Sequence, residues 1–457
     1  MQAAVTPPTT YGARGDRKIA FVMVGLPARG KTFIARKVAR YLSWSGHRTR
    51  VFNVGAYRRE RLGSQHRHSF FDPDNEEGNR ARLEVAEMAL EDMLRWMRDG
   101  TSQALPGRGL HQDGTSQASP GRGPHQGEGG EVGIYDATDS TRERRETVRR
   151  QCVAAGHQVV FIESICDDPA IIDANIRDTK LRSPDYAGVP AEEAIEDFRL
   201  RIAHYERAYE TVRDDEGSYI KIKDVGRTVI AHRIEGYLPA RLVFFLVNFH
   251  IQPRSIWLTR HGESEHNVEG RIGGDTPLSP LGVGYADALG RHLRERFAPE
   301  AMPAVWTSTL KRTLETARAI GQPHRPWRAL DEIDAGVCDG MTYAEIAAQM
   351  PDEYAGRGKD KFRYRYPRGE SYQDVIGRLE PVIFELERER APVLIIGHQA
   401  VLRALYTYVM DQPPEACPRI SIPLHTLIEL TPTAYGCEER RIELPPTPGD
   451  LEGFGQG

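Results

Sequence analysis

Short apolar runs alternate with segments of helical spacing along almost the whole chain. "KIAFVMVG" is a continuous apolar, β-rich run; "KTFIARKVARYL" follows with Phe33, Ile34, Val38, Tyr41 and Leu42 at helical intervals. "RVFNVG" then predicts a strand, and "NRARLEVAEMALEDMLRWM" a helix with Leu83, Ala86, Leu90, Met93 and Met97 as its apolar stripe. "EVGIYD" and "HQVVFIES" predict two further strands, and "RLVFFLVNFHI" reads as a buried strand. The pattern restarts at "RSIWLTRHGE", where strands ("AVWTS", "VLIIGH") again mix with helices ("LKRTLETARAI", "YQDVIGRLEPVIFELERE"). Strands alternating with helices predict an α/β chain of two domains. The first has a mostly parallel sheet covered on both faces, with ligands gathering at the strands' carboxyl ends.

Residues 1–17 and 446–457 are expected to be flexible tails, and the domains to span 18–252 and 253–445, meeting at "QPRS". One segment breaks the alternation. "DGTSQALPGRGLHQ" (99–112) is followed at once by "DGTSQASPGRGPHQ" (113–126), a tandem duplication altered only at 105/119 and 110/124. It lacks the apolar content to fold and is expected to be a disordered insert. It enters at the amino end of the strand that finishes at Asp136, away from the expected ligand end. A long surface loop there costs little closure entropy.

Composition narrows the class without selecting a function. The 457 residues are 39% hydrophobic and 28% charged, with net charge −4, as in an ordinary globular protein with no general affinity for polyanions. Neither nucleic acid nor membrane is an expected partner: no apolar run reaches the roughly 18 residues that a membrane helix needs. The five cysteines form no CxxC pair, and "MQAAVTPPTTYGARGDRK" has no signal-peptide core. A reducing, cytoplasmic location is expected.

"GLPARGKT" places Gly25, Gly30, Lys31 and Thr32 in the order G-x-x-x-x-G-K-[ST], between a predicted strand and a predicted helix. Such a loop curls backbone N–H groups around phosphate oxygens. Lys31 would neutralise the β and γ phosphates, and the Thr32 hydroxyl would ligate Mg2+. "VGIYDATD" supplies Asp136, which either holds the metal through water or receives the proton of an attacking hydroxyl. Asp139 is placed to cap the helix of "TRERRETV". Arg58, Arg82, Arg144, Lys180 and Arg201 form a basic set suited to a phosphorylated acceptor, because guanidinium groups bind phosphate bidentately.

In "LTRHGESEHN" a strand runs into Arg260 and His261, and in "VLIIGHQAVLR" another runs into His398. Two histidines at the ends of two strands can face one phosphoryl group. One attacks phosphorus as a neutral imidazole while the other donates a hydrogen bond to the phosphoryl oxygens. Arg260 and Arg312 would spread the transition-state charge, and Glu332 would protonate the leaving alkoxide, a role worth roughly 10² to 10⁴ in rate.

Taken together, the strings "VMVGLPARGKT", "VFNVGAYRRE", "FFDPDNEE", "DATDSTRERR", "FIESICDDP", "SPDYAG", "NFHIQPRSIWLTRHGESEHN", "GRIGGD", "EIDAGVCDG", "YRYPRGESYQD", "GHQAVLRALY" and "PLHT" resemble the 6-phosphofructo-2-kinase/fructose-2,6-bisphosphatase family from residue 18 to about 445. The resemblance implies a P-loop kinase followed by a phosphoglycerate mutase-like histidine phosphatase. The first would transfer phosphate from MgATP to the 2-hydroxyl of fructose 6-phosphate, and the second would hydrolyse fructose 2,6-bisphosphate, so that one chain sets glycolytic against gluconeogenic flux. ATP is then a co-substrate with Mg2+, and a homodimer is implied. On matching positions, Cys166 is the family's active-site cysteine, and Asn175 and Lys180 lie near the ATP phosphates. By the same resemblance Arg58, Arg82, Thr138, Arg144, Arg201 and Tyr205 would meet fructose 6-phosphate. The resemblance makes His261 the expected phosphorylated nucleophile and Glu332 the expected proton donor. Arg260, Asn267, Arg312 and His398 hold the transferred phosphoryl. Gly273, Tyr343, Arg357, Lys361, Tyr372, Gln399 and Arg403 contact the sugar bisphosphate.

Asp139 departs from the family's usual "DATN", and its charge either weakens the kinase or serves only as a cap. No "RRxS"-type site precedes the first domain, and Thr447-Pro448 is a weak proline-directed site. The competing readings are one silent activity, a non-catalytic sugar-phosphate sensor, and a P-loop kinase of other acceptor fused to a general phosphatase. Intact Lys31, Asp136 and His261 favour catalysis.

Overall fold

The run Ile19–Val24 is buried at every position and forms β1, an inner strand of a six-stranded sheet. A computed structural model describes residues 18–100, 130–177, 183–250, 254–433 and 436–445. Both expected tails, nearly all of the duplicated insert, and Lys180 lie outside the described residues. The described residues divide into two compact units at Val247/Asn248, with 40–46 grouped with the second. The expected junction at 252/253 falls a few residues later.

In the first unit β1 is followed by α1 (Lys31–Trp44), β2 (Thr49–Asn53), α2 (Val54–Leu62), α3 (Glu76–Asp99) and β3 (Val132–Asp136). Then come α4 (Arg142–Ala154), β4 (Gln158–Ile165), α5 (Pro169–Asn175), α6 (Ala191–Glu206), β5 (Ser218–Lys223), β6 (Thr228–His232) and α7 (Tyr237–Asn248). The sheet order is β2-β3-β1-β4-β5-β6, parallel except where β6 pairs antiparallel with β5. Chain order reverses direction at β1, so a crevice opens beyond its carboxyl end, where ligands bind in sheets of this kind. Val22, Val24, Phe52, Tyr135 and Phe161 of the strands pack with Ala89, Leu90, Met93 and Met97 of α3. Each fully buried Val, Leu, Phe or Met among them contributes about 1.5–3 kcal/mol.

Two expectations change here. The stripe of α3 runs through Val85, Ala89, Leu90, Met93 and Met97; Leu83 lies at its edge and is exposed. Within "RLVFFLVNFHI" residues 241–248 form no strand but the greater part of α7, and 249–250 follow it. The segment's buried Leu242, Phe245, Leu246 and Phe249 recur at i, i+3, i+4 and i+7, a helical spacing that the uniform apolarity conceals. Among the described residues no helix is long and apolar enough to cross a membrane.

The second unit contains β7 (Ile256–Arg260), α8 (Glu265–Glu269), α9 (Pro280–Arg296), β8 (Ala304–Thr307), α10 (Lys311–Arg318) and β9 (His324–Pro326). It continues with α11 (Tyr343–Gln349), α12 (Pro351–Lys359), α13 (Tyr372–Arg388), β10 (Val393–Gly397), α14 (Gln399–Val409), β11 (Thr426–Pro432) and β12 (Cys437–Glu443). Its order is β12-β11-β7-β10-β8-β9, with β7, β10, β8 and β9 parallel. Because β7 and β10 are neighbours, Arg260 pairs with Gly397, and the residues that follow each strand, His261 and His398, emerge side by side.

Candidate active sites

The turn after β1 needs glycine for two separate reasons. Gly25 has φ 135°, and a Cβ there would sit 2.4 Å from the Ser164 carbonyl oxygen. Ala28 (φ 58°) and Gly30 (φ 81°) also take left-handed backbone, which curls the loop toward α1. Gly25 N–H donates to Thr138 O at 3.1 Å and Asn175 Nδ2 donates to Ala28 O at 3.0 Å, so β3 and α5 hold the loop's shape. Lys31 opens α1, with its Nζ donating to Leu26 O at 2.6 Å. Asp136 ends β3, buried, its Oδ2 accepting from Asn53 Nδ2. Thr32 and Asp136 offer hard oxygen donors of the kind Mg2+ takes. Cys166 is buried just after β4, and burial pushes its thiol up, as for an inert rather than a reactive cysteine.

Three of the five residues of the basic set converge on one ring. Arg58 lies 5.2 Å, Arg82 5.8 Å and Arg201 3.5 Å from the centre of Phe71. Asp185 takes two hydrogen bonds from Arg58 Nη2, at 2.7 and 2.6 Å, and pairs with Arg201 at 3.7 Å. Nε and Nη1 of Arg58 and Nε of Arg201 are buried with no hydrogen-bond partner among the described residues. Burial and the neighbouring Arg201 draw Arg58 below its ordinary value, against Asp185. Burial raises the Tyr205 phenol, but Arg201, Arg82 and Arg144 outweigh it and hold the group below its ordinary value. Arg144, in the first turn of α4, thus belongs to the same field. Asp185 answers only part of this charge, and the buried guanidinium N–H groups left without an acceptor suit a further anion such as phosphate. The sequence reading gave no role to Asn53, Phe71 or Asp185. The strings "FFDPDNEE" and "SPDYAG" contain the last two; the signal was the need for a carboxylate among so many arginines.

Asp139 is not the cap of α4. Thr141 is: its Oγ1 accepts the Arg144 N–H at 3.3 Å. Asp139 has φ 42°, in a region that Asp and Asn enter more readily than other side chains. Its carbonyl is held by Arg145 Nη1 at 3.2 Å; Arg145 is itself buried and paired to Glu216 at 2.7 Å. The Asp139 Oδ2 is buried with no hydrogen-bond partner among the described residues. Burial pushes this carboxyl up to about 7, opposed by Arg144, Arg145 and Lys31 and assisted by Asp136. The folded state therefore binds its proton more tightly than the unfolded one. Stability falls as pH rises from about 4 to about 7, and the full cost, on the order of 4 kcal/mol, is present above that. Asp139→Asn is expected to raise the urea midpoint of the first unit strongly at pH 8 and less at pH 6. Equal gains at both values would show that the carboxyl is not the source.

In the second unit the backbone after β7 lies against the start of α9. A Cβ on Gly262 would sit 2.2 Å from Gly282 O, and one on Gly282 would sit 2.0 Å from Glu263 O. His261 Nδ1 is 2.6 Å from Gly262 O and so carries the proton, leaving Nε2 unprotonated toward the site. Arg312 Nε donates both to His261 Nε2 at 3.1 Å and to His398 Nδ1 at 3.3 Å. The rings lie 5.0 Å apart. Burial, then Arg312, draws both histidines well below their ordinary values, so both are neutral. Arg260 is drawn down to about 10 by burial, against Glu332. Glu332 accepts from Ala400 N at 3.1 Å, at the start of α14 where Gln399 is the first residue. Asn267 closes the capping box of α8 with Ser264.

Gly273 (φ 70°) abuts Asp339, where a Cβ would collide with Oδ1. Arg357 donates to Tyr343 OH and Tyr366 OH, each at 2.8 Å, and Arg403 donates to Tyr372 OH at 3.1 Å. Burial, then Arg357 and Arg403, draws Lys361 down to about 8, which gathers these cations into one field.

The folds and sites define a P-loop kinase unit and a histidine phosphatase unit on one chain. Residues 8–104 with 125–253 match the family model for 6-phosphofructo-2-kinase, and 256–444 match that of the histidine phosphatase superfamily (branch 1). A protein of Arabidopsis thaliana named 6-phosphofructo-2-kinase/fructose-2,6-bisphosphatase is 50% identical, over 97% of this chain and 56% of its own length. One of the same name from Gallus gallus is 48% identical, and the human 6-phosphofructo-2-kinase/fructose-2,6-bisphosphatase 4 is 47% identical, each over 93% of this chain and 84% of its own length. This chain thus spans just over half of the plant relative and most of the animal ones. It belongs to the 6-phosphofructo-2-kinase/fructose-2,6-bisphosphatase family.

Proposed function

We propose that the first unit makes fructose 2,6-bisphosphate from MgATP and fructose 6-phosphate, and that the second hydrolyses it to fructose 6-phosphate and phosphate. The observation that carries this reading is the coexistence on one chain of a P-loop and arginines gathered on Phe71 in the first unit, and of two neutral histidines sharing one arginine in the second.

In the kinase, the glycine-loop amides and Lys31 receive the ATP phosphates, with Asn175 shaping the loop and Lys180 adding charge. Arg58, Arg82, Arg144 and Arg201 take the 6-phosphate, with Thr138 and Tyr205 on the sugar. Asn53 holds Asp136 Oδ2, leaving Oδ1 for the proton of the sugar 2-hydroxyl as that oxygen attacks the γ phosphorus and the P–O bond to the departing ADP breaks. Thr32 and Asp136 would hold the Mg2+, which neutralises developing phosphate charge. Cys166 lines the nucleotide end.

In the phosphatase, His261 Nε2 attacks the 2-phosphoryl, forming a P–N bond as the P–O bond breaks, and Glu332 protonates the departing sugar oxygen. Water then attacks phosphorus, Glu332 takes its proton, and His261 is regenerated. Arg260, Asn267, Arg312 and His398 hold the phosphoryl oxygens, while Gly273, Tyr343, Arg357, Lys361, Tyr372, Gln399 and Arg403 hold the rest of the sugar bisphosphate. We further propose a cytoplasmic homodimer.

A paired assay tests this reading. One arm measures fructose 2,6-bisphosphate formed from MgATP and fructose 6-phosphate; the other supplies labelled fructose 2,6-bisphosphate and traps phospho-enzyme. Binding of both ligands without turnover in either arm would favour a sensor instead. One pH effect is specific to the second arm. Lys361, drawn down to about 8, carries its charge below that pH and loses it above. KM for fructose 2,6-bisphosphate is expected to rise by about tenfold between pH 7 and 9, the loss of one charge-assisted contact. Lys361→Met should show the high KM already at pH 7 and little further rise.

A further inference from the structure

Ser308 lies at the end of β8, fully buried, outside the set of residues to which a role has so far been given. Its Oγ is 2.7 Å from His398 Nε2 and 2.8 Å from Thr313 Oγ1, and it accepts the Leu310 N–H at 3.1 Å. Either hydroxyl could in principle be the donor in the Ser308–Thr313 contact. The next link removes the ambiguity. Thr313 Oγ1 stands 2.8 Å from Leu310 O and 3.2 Å from Ser308 O, and carbonyl oxygens only accept. The Thr313 proton therefore goes to a carbonyl, and Thr313 accepts from Ser308. With its own proton committed to Thr313, Ser308 can only accept from His398. The opposite polarity would set lone pairs of Thr313 and Leu310 against each other at 2.8 Å.

We infer that Ser308 and Thr313 are positioning residues of the phosphatase site: a one-way hydrogen-bond chain ending on a backbone carbonyl fixes the proton of His398 on Nε2 and presents its Nδ1 lone pair to the phosphoryl pocket. A second contact favours the same tautomer without imposing it: Arg312 Nε–H can only donate, and it is shared between His398 Nδ1 at 3.3 Å and the nearer His261 Nε2 at 3.1 Å. The charged and titratable groups around His398 are Arg312 from α10, Arg260 and His261 from the end of β7, Arg378 from α13, and Glu332 beside the start of α14. The consequence concerns what the site accepts. Neutral His398 cannot donate to phosphoryl oxygen from Nδ1. A phosphoryl group that arrives with one P–O–H supplies the shared proton, which then lies between the phosphoryl oxygen and Nδ1, while Nε2–H stays on Ser308. His398 thus begins the reaction as an acceptor and becomes a donor only with the proton that the substrate brings.

This inference rests on the phosphatase reading for its catalytic meaning, but its structural half needs no substrate. The full chain, labelled with 15N at histidine, is examined by NMR without ligand, and the His398 signals are assigned by their loss in His398→Asn. The expected result is a protonated, pyrrole-type Nε2 and an unprotonated, pyridine-type Nδ1. In Ser308→Ala and in the isosteric Thr313→Val, the two nitrogens should exchange roles or average. Phospho-enzyme formation should slow by about 10- to 100-fold, the usual cost of losing a group that orients an active-site histidine. Thr313→Ser keeps the hydroxyl and should stay near the parent rate. Kinase turnover should be unchanged throughout, and each variant should remain folded at the assay temperature, with the thermal midpoint lowered by a few degrees where a buried hydrogen bond is lost. A protonated Nδ1 in the parent chain would overturn the inference, as would Ser308→Ala and Thr313→Val variants that keep the parent tautomer and rate. If the parent traps no phospho-enzyme from fructose 2,6-bisphosphate, the substrate reading has failed; the nitrogen shifts still decide the tautomer on their own.

Discussion

His261→Ala is expected to abolish hydrolysis of fructose 2,6-bisphosphate, with a loss of about 10⁴-fold or more and no trapped phospho-enzyme, while synthesis from MgATP and fructose 6-phosphate continues. The size of the loss follows from what is removed. A general acid or an oxyanion donor lowers one barrier, but a nucleophile defines the pathway, and water must then attack the phosphoryl group directly. Arg312, Arg260 and His398 remain to bind the phosphoryl, so binding of the bisphosphate should change far less than turnover. The substitution is mild for the fold. The Arg312 Nε–H keeps its second acceptor, His398 Nδ1, and its Nη1 still donates to Gly274 O at 2.7 Å. Hydrolysis and an acid-labile phospho-enzyme that survive in His261→Ala would move the nucleophile to His398. Hydrolysis without any phospho-enzyme in the parent chain would replace the covalent route by direct attack of water.

Much of both sites could be read from the chain because each is built from a strand end plus the two or three residues that follow it. A strand that stops at Val24 or Arg260 delivers Gly25–Thr32 or His261 to one edge of a sheet, and period and motif reveal this together. What stayed hidden depends on contacts across long sequence separations. Asp185 reaches Arg58 across 127 residues, and no spacing rule announces that pair. Ser308 and His398 are 90 residues apart, and their hydrogen bond follows only from β10 pairing with β8. Asp139 misled for a related reason. An aspartate just before a helical run is a natural cap, but Arg145 pulls its carbonyl inward and passes the capping position to Thr141. The α7 segment misled because a run in which nearly every position is apolar has no polar positions to betray its period.

Lys31→Met is expected to cut kinase turnover by about 10³-fold or more while leaving hydrolysis at the parent rate, the mirror image of the histidine substitution. Lys31 is the first residue of α1 and 9% exposed, with its amine turned back onto Leu26 O within its own loop. That contact is a hydrogen bond to a neutral carbonyl. Exchanging it for phosphate oxygens replaces a weaker bond by charge-assisted ones about twice as strong, so the side chain is poised to leave when ATP arrives. The loop amides, shaped by Gly25, Ala28 and Gly30, remain in the variant and still cradle phosphate; ATP binding should therefore weaken much less than turnover falls. That difference identifies a cation whose main effect is on the γ phosphoryl as charge shifts during transfer, rather than on the ground-state nucleotide. Lys31→Arg should restore little, because a planar fork cannot occupy the space of a compact ammonium inside a turn this tight. Measuring fructose 2,6-bisphosphate formed per enzyme, with ATP binding followed separately, decides the matter. A Lys31→Met chain that keeps more than a tenth of the parent kinase rate would show that Arg144 or Lys180, not Lys31, supplies the transition-state cation.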